Sequence, residues 1–253
     1  MAEPRSRLSP LIKLATLVGV VAPLLVAVGA IGTKAGAWPW TVGFGQITVD
    51  WGSKVAMVGT VVGLLALVLA LAKARRLLPW ALVAFLAPAL TLAGFMKLRS
   101  DAESNPPIHD VATDWSDPLN FSQPLREQRA GATNAVEPDP VVPARAGERW
   151  GGRRVAEINV ETCPGARSIR RQVGPEEAAA ALESAGVQVI GQAPWRVEGT
   201  YESFWFGFED DVVVRIRPGR TDVRSISRVG GSDLGANCRR VTKIVRELER
   251  AAG

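Results

Sequence analysis

The sequence predicts three membrane-spanning helices followed by a small α+β domain with an antiparallel sheet and two helices. The membrane region occupies residues 1–99, where uncharged apolar stretches cover residues 14–33, 55–72 and 77–96. Seven prolines punctuate residues 100–150, an extended Pro-rich linker that could be a flexible tether or could wrap against the next domain. Alternating and helical patterns return in residues 151–253, where we expect an exported α+β domain.

The 253-residue chain changes its charge balance at the same boundary. Residues 1–100 hold ten Lys or Arg and two acids, a balance of +8, whereas residues 101–253 hold twenty and twenty-three, a balance of −3. A slightly acidic domain lacks the basic face of a nucleic-acid-binding protein, so we expect no nucleic-acid partner. Two cysteines and one histidine are too few soft ligands for a structural zinc site, and we expect no metal or cofactor.

Each apolar stretch is 18 to 20 residues long and rich in Leu, Val and Ala. About twenty apolar residues in a helix cross a hydrocarbon core of roughly 30 Å. Because no acidic, basic or histidine side chain lies inside a stretch, an ion or proton pathway is not predicted, and anchoring is the simpler role. Between the first two spans, an aromatic-rich loop indicates an interfacial belt or, alternatively, a ligand-stacking loop; its rings are Trp38, Trp40, Phe44 and Trp51.

Basic residues at the ends of the spans predict the orientation. They precede the first span and fill the turn between the second and third: Arg5, Arg7, Lys13, Lys73, Arg75 and Arg76. The positive-inside rule places these segments in the cytoplasm, and an odd number of spans then exports the C-terminal domain. We therefore expect a multi-pass protein of the inner membrane with a periplasmic domain, or a lumenal one in a chloroplast. If the first span were a cleaved signal peptide, the other two would still export the domain.

The C-terminal domain begins with a short apolar strand predicted at residues 155–160. Gly174 and Pro175 open a helix that can end at Gly186, because proline is tolerated at the first helical position and glycine caps the end. A second strand is predicted at residues 187–190 and a third at residues 196–203, where apolar and polar residues alternate.

Residues 211–217 and 221–228 form a predicted hairpin around a Pro-Gly-Arg turn. Ser232 or Asp233 can cap the final helix, since their oxygens accept from its first amides. The apolar face of that helix is predicted from spacings of three, four and seven residues: Leu234, Cys238, Val241, Val245 and Leu248. Alternation along residues 204–208 places Phe204, Phe206 and Phe208 on one strand face, which favours core packing or a groove for an acyl chain.

Three sequence blocks carry a resemblance to a known family. They are NPPIHDVATDWSDP at 105–118, FWFGFEDDVVVRIRP at 204–218 and RSISRVGGSDLGANCRR at 224–240. The chain resembles the domain of unknown function 1499 family of uncharacterised bacterial and plant proteins, in its long membrane-anchored form. The resemblance implies no activity. The motif positions that we expect to be structural are His109, Asp110, Phe206, Asp210, Asp211, Ser225, Ser227, Asp233 and Asn237.

Two interpretations of the hairpin arginines remain open. Asp210 and Asp211 are adjacent on a strand and point to opposite faces, so they cannot form an acid–base pair with each other. Acids and arginines on neighbouring strands could form cross-strand ion pairs. Alternatively, the arginines could bind an anionic ligand together with Trp205; these candidates are Arg215, Arg217, Arg224 and Arg228.

The two cysteines also leave two alternatives. Outside the cytoplasm, Cys163 and Cys238 could form a disulfide, whereas a position on the apolar helix face also suits a buried free thiol.

We weigh two functions. The first is a membrane-anchored envelope protein whose exported domain binds membrane lipid, another envelope protein or a small anionic ligand. The alternative is an envelope hydrolase that uses Asp210 or Asp211 with Ser225 or Ser227 and with His109, although no Gly-x-Ser-x-Gly turn is present. A third hypothesis is a membrane subunit that scaffolds a larger complex.

Overall fold

The computed structural model describes residues 8–250, so Arg5 and Arg7 of the orientation argument lie outside the described residues. The chain divides into two compact units. The first, called the membrane unit here, comprises the residues up to Ser100 together with Phe204–Gly207. The second, called the C-terminal domain, comprises Asp101–Ser203 and the residues from Phe208 onward.

The membrane unit contains three helices that are long and apolar enough to cross a bilayer, which confirms the three long apolar helices that the sequence predicts. They are α1 (Leu8–Lys34), α2 (Ser53–Lys73), which continues a π-helix at Thr41–Gly52, and α3 (Leu78–Ser104). The predicted loop between the first two spans is therefore mostly helical. Phe44 and Trp51 lie on the π-helix, whereas Trp38 and Trp40 precede it.

Small residues allow the three helices to approach closely. A Cβ atom at Gly19 would lie 2.5 Å from the carbonyl oxygen of Ala84, and one at Gly63 would lie 2.2 Å from the same atom. Both distances are shorter than side chains tolerate, so α1 and α2 each meet α3 through a bare backbone. Large apolar side chains such as Leu17, Leu65 and Leu90 are exposed on these helices, a pattern typical of lipid-facing positions.

The C-terminal domain is built on one five-stranded antiparallel sheet, which confirms the predicted α+β class. Its strands lie in the order β1-β5-β4-β3-β2. Their bounds are β1 Asp110–Ala112, β2 Gln188–Ala193, β3 Arg196–Glu202, β4 Glu209–Arg217 and β5 Arg220–Ser227. The register pairs Val212 with Ser225 and Val213 with Arg224, so successive residues of the hairpin face opposite sides of the sheet.

Helices cover one face of this sheet: α5 (Val155–Thr162), α6 (Pro175–Ser184) and α7 (Ala236–Arg250). Strand residues Val212 and Val214 and helix residues Leu182, Ile244 and Leu248 share one core there. We call this side the helix face. The helices α6 and α7 are the two that the sequence predicts.

The Pro-rich segment lies on the opposite side of the sheet, which we call the outer face. Leu119 and Phe121, with Leu125 from the short helix α4 (Gln123–Gln128), pack there against Val213 and Ile226. Each of these side chains is almost fully buried. The segment also contributes β1 at the sheet edge, and it therefore belongs to the fold of the domain.

The strand predicted at residues 155–160 is wrong, because this segment forms α5. Val155 is buried, and so are Ile158 and Asn159, which follow it by three and four residues. Val160, in contrast, is 75% exposed. This burial pattern fits one face of a helix and not the alternation of a strand. A short apolar run gives no periodicity long enough to separate the two structures.

The strand alternation predicted for residues 204–208 is also wrong. β3 ends at Glu202 and β4 begins at Glu209, and residues 204–207 form a turn between them. Gly207 has a φ of 66°, a left-handed conformation that ends strand geometry and favours glycine. Phe204 and Trp205 are consequently exposed instead of lying in a strand core.

Cys163 and Cys238 form a disulfide between the end of α5 and the first turn of α7. Their Cα atoms are 5.7 Å apart and their positions are separated by 75 residues. A cross-link over a loop of this length restricts the unfolded chain strongly.

We therefore expect the Cys163→Ser/Cys238→Ser double variant to lose about 2–4 kcal/mol of unfolding free energy. Urea titration of the detergent-solubilised full chain, followed by circular dichroism, measures this loss. A reductant should destabilise the wild type to a similar degree and leave the double variant unchanged. Equal stability of the two proteins without reductant would contradict the prediction.

Candidate functional site: ion-pair networks and the basic face of the last helix

Arg224 is a charged side chain of the outer face that is only 1% exposed. Its Nε and Nη2 atoms donate to both oxygens of Asp110, at 2.9 and 2.5 Å. Nη1 donates to the carbonyl oxygen of Leu119 and Nη2 to that of Glu137, both at 2.7 Å. The guanidinium also lies 5.3 Å from the ring centre of Trp115. These contacts occupy the group and leave no free edge for a ligand.

Asp211 is the centre of a second outer-face network and is fully buried. It accepts from Arg129 at 2.5 Å, from Arg228 at 2.8 and 2.9 Å, and from the Thr200 hydroxyl at 2.6 Å. Arg228 donates further to Glu209 at 2.6 Å. Arg228 is thus neutralised by two carboxylates.

The turn end of the hairpin carries a third network in which positive and negative side chains are equal in number. Its members are Arg215, Arg217, Arg220, Asp114, Asp117 and Asp222, joined by contacts of 2.7 to 3.4 Å. Burial alone would raise the pKa of Asp222, but hydrogen bonds from Ser168, Arg217 and Arg220 outweigh it and hold the pKa below its ordinary value. A cluster of three cations and three anions has no surplus charge for an anionic ligand.

The four arginines predicted as an anion site are therefore distributed over three networks. Arg215 and Arg217 share the turn end, Arg224 holds Asp110, and Arg228 holds Asp211. Cross-strand and long-range ion pairs account for each of them. Anion binding by this set stays a prediction that these contacts do not favour.

A fourth network lies on the helix face of the sheet, between the start of α7 and strands β4 and β5. Arg240 donates to Asp210 at 2.8 Å, to the Asn237 side-chain oxygen at 2.6 Å and to the Ser225 hydroxyl at 3.1 Å. The Ser225 hydroxyl is also 2.6 Å from the same Asn237 oxygen, and the amide nitrogen of Asn237 donates to the Ser227 hydroxyl at 2.9 Å. These bonds fasten α7 to β4 and β5 through buried polar groups.

The histidine does not join this network through its ring. The carbonyl oxygen of His109 accepts from the Ser227 amide at 2.9 Å and from the Asn237 side chain at 3.0 Å. Its ring Nδ1 atom is buried without a hydrogen-bond partner, and burial lowers the pKa of His109 below its ordinary value. Among the described contacts, the hydroxyls of Ser225 and Ser227 bond to Asn237 and Arg240. The hydrolase alternative stays a prediction that these contacts do not favour.

Asp233 orders the loop that begins α7. Its carboxylate accepts from the backbone amides of Gly235 at 2.7 Å and Asn237 at 2.9 Å, as a capping residue does. Burial raises the pKa of Asp233, and the charge of Asp210 adds to this, while the two backbone hydrogen bonds oppose it. Gly235 has a φ of 78°, and a Cβ there would lie 2.5 Å from the Asn105 side-chain oxygen.

A cavity of about 110 Å³ lies beside this loop. Asp233 and Arg239 supply charged groups to its wall, and the disulfide of Cys163 and Cys238 supplies an apolar part. It is large enough for a few water molecules and small for a metabolite.

Within residues 8–250, no group of three or more His, Cys, Asp or Glu side chains is placed to hold a metal ion.

The exposed side of α7 has a different character, and we call it the basic face. Its four cations follow spacings of four, three and four residues and are all exposed: Arg239, Lys243, Arg246 and Arg250. The other side of the helix is buried in the helix-face core. Glu247 contacts Arg250 at 3.2 Å, and a shallow groove of about 400 Å³ runs along the basic face. This face carries more positive than negative charge.

Residues 110–248 match the family described as protein of unknown function, DUF1499. The chain belongs to this family. The match covers more than half of the chain and confirms the resemblance carried by the three sequence blocks. It runs from the first residue of β1 into the last turn of α7, so the DUF1499 region contains the complete sheet. No curated protein and no solved structure matches the chain.

Several residues that organise the DUF1499 domain are absent from the sequence predictions. Arg129 and Arg240 are the partners of Asp211 and Asp210, and buried Glu198 accepts from the Ser122 amide at 2.9 Å. Arg240 ends the third sequence block, which is a signal that could have identified it. The basic face could have been found from the helical spacing of its cations opposite the apolar positions.

Replacing Arg224 tests whether these networks are structural. Arg224→Met leaves Asp110 buried and unpaired, and we expect it to lower the unfolding free energy by about 3–5 kcal/mol. Chemical denaturation of the full-length DUF1499 protein in detergent measures the change.

Arg167→Met is the matched control, because Arg167 forms an exposed pair with Glu249 at 2.7 Å. That substitution should cost less than about 1 kcal/mol, since exposed pairs are screened by solvent. Similar losses for both variants would contradict a special role of Arg224.

Proposed function

We propose that this DUF1499 protein is a multi-pass inner-membrane protein whose exported domain binds anionic lipid headgroups without catalysing a reaction. The observation that carries the proposal is the basic face of α7, where Arg239, Lys243, Arg246 and Arg250 are exposed together. Phosphate oxygens are the groups that such a row of cations attracts.

The distribution of charge in the domain supports this choice of surface. Residues 101–253 hold twenty Lys or Arg against twenty-three acids, so the domain as a whole does not attract anions. The arginines of the hairpin are already paired with carboxylates. The basic face is the place where positive charge exceeds negative charge along a full helix.

Attachment to the membrane lowers the affinity that the basic face needs. The domain begins at the end of α3, and tethering gives the headgroups a high effective concentration near it. Each basic side chain close to an anionic bilayer contributes about 1 kcal/mol, and salt weakens the attraction. Several such contacts are enough for reversible binding of a tethered domain.

Two independent features support export of the domain. Lys73, Arg75 and Arg76 between the second and third spans favour a cytoplasmic turn, which places the chain after α3 on the other side. The disulfide of Cys163 and Cys238 suits an oxidising compartment such as the periplasm.

The orientation can be tested with reporters fused to the C-terminus. In a Gram-negative bacterium, we expect an alkaline phosphatase fusion to be active and a green fluorescent protein fusion to be dark. A fusion placed after Ala74, in the turn between the second and third spans, should give the opposite result. An inactive phosphatase and a bright fluorescent protein at the C-terminus would place the domain in the cytoplasm and contradict the proposal.

Lipid binding can be tested with the full chain in a neutral detergent and a fluorescent short-chain phosphatidylglycerol. The variant with Arg239, Lys243, Arg246 and Arg250 all replaced by Gln should bind this lipid at least about tenfold more weakly. Fluorescence polarisation measures the affinity. High salt should lower the affinity of the wild type for this lipid toward that of the variant.

The matched control removes the same charge from exposed positions elsewhere in the domain. It replaces Arg126, Arg145, Arg149 and Arg154 with Gln. We expect this protein to keep most of its affinity and its salt dependence. If both variants bind phosphatidylglycerol equally weakly, the loss is a nonspecific effect of charge. If the variant of the basic face binds as tightly as the wild type, the role of the basic face is contradicted.

A further inference from the structure

The turn between β3 and β4 presents two large aromatic rings to the surroundings of the protein. We call Phe204–Gly207 the aromatic turn. Phe204 is 75% exposed and Trp205 is 66% exposed, and their rings meet edge to face with centroids 5.1 Å apart. Adjacent exposed rings of this size mark an interaction surface, because water solvates them poorly.

The conformation of the aromatic turn is fixed by the residues beside it. The Ser203 amide donates to the Phe208 carbonyl at 2.8 Å, and the Phe208 amide donates to the Ser203 hydroxyl at 2.8 Å. Gly207 supplies the left-handed conformation that closes the turn. The exposed rings are thus displayed by a defined backbone structure, which reduces the entropy lost when they bind.

Contacts within the membrane unit indicate what the rings bind. The aromatic turn belongs to this unit. The rings of Phe206 and Phe44 meet edge to face there, with centroids 5.2 Å apart. Lys34 Nζ donates to the Phe204 carbonyl at 3.1 Å and lies 5.6 Å from the Phe204 ring centre. Lys34 is the last residue of α1, and basic and aromatic residues at the end of a span lie at the level of the lipid headgroups.

We propose that the aromatic turn inserts Phe204 and Trp205 into the headgroup region of the bilayer beside the end of α1. Aromatic rings favour this layer because it accepts their apolar surface and leaves the indole N–H hydrated. The partner is the lipid surface itself, whatever the net charge of its headgroups. The inference depends on the spanning helices and does not depend on anionic lipid at the basic face of α7.

Tryptophan fluorescence of the full chain tests the insertion. The protein is reconstituted in phosphatidylcholine vesicles, with or without phosphatidylcholine brominated near the top of its acyl chains. Subtracting the emission of Trp205→Phe from that of the wild type isolates Trp205. We expect this emission to be blue-shifted, to lose about half or more of its intensity to the brominated lipid, and to resist iodide in the water.

Trp195 provides a matched control, because it is 63% exposed in the turn at the other end of β3 and belongs to the C-terminal domain. The difference between the wild type and Trp195→Phe should be quenched by iodide and not by the brominated lipid. A second variant, Phe204→Trp, should add emission that the brominated lipid quenches.

Two results would overturn the inference. Quenching of Trp205 by iodide alone would place it in water, and resistance to both quenchers would place it against a protein partner. Anionic lipid is absent from these vesicles, so failure of the basic face to bind phosphatidylglycerol would leave the expected result unchanged. Conversely, loss of insertion would not alter phosphatidylglycerol binding by α7.

Discussion

The buried pair of Arg224 and Asp110 is the interaction on which the rest of the C-terminal domain depends. A guanidinium removed from water is stable only when its N–H groups are bonded, because an unpaired buried charge costs several kcal/mol. Its partners are a carboxylate of β1 and the carbonyl oxygens of Leu119 and Glu137. One side chain thereby fixes the edge strand and the segment over the outer face. That segment in turn shields Val213 and Ile226 from water.

The parts of the structure predicted from the sequence are those with a regular local pattern. Charge-free runs of about twenty residues can be recognised without tertiary information, because the bilayer sets their length. The alternation of residues 196–203, 211–217 and 221–228 corresponds closely to β3, β4 and β5. The same alternation explains why Asp210 bonds to Arg240 on the helix face while Asp211 bonds to Arg129 on the outer face.

The remaining features depend on contacts between distant segments. One partner of Asp211 is Arg129, 82 positions away, and no local pattern identifies it among the twenty basic residues of this part of the chain. The aromatic residues from Phe204 to Phe208 alternate as a strand would, yet the backbone turns there. The networks also change the interpretation of the candidate site, since arginines that look available in the sequence are paired in the fold.

The pairing of β1 with β5 determines the order in which the domain can be completed. Asp110 lies opposite Ile226, so the first strand of the sheet acquires its neighbour only after more than a hundred further residues have been synthesised. The disulfide likewise waits for Cys238 in α7. Contacts of such large sequence separation slow folding, and a chain that emerges N-terminus first must keep β1 unpaired meanwhile. Pairing of β1 and formation of the disulfide therefore come late, and a chain truncated before β5 would leave an open sheet edge accessible to other chains.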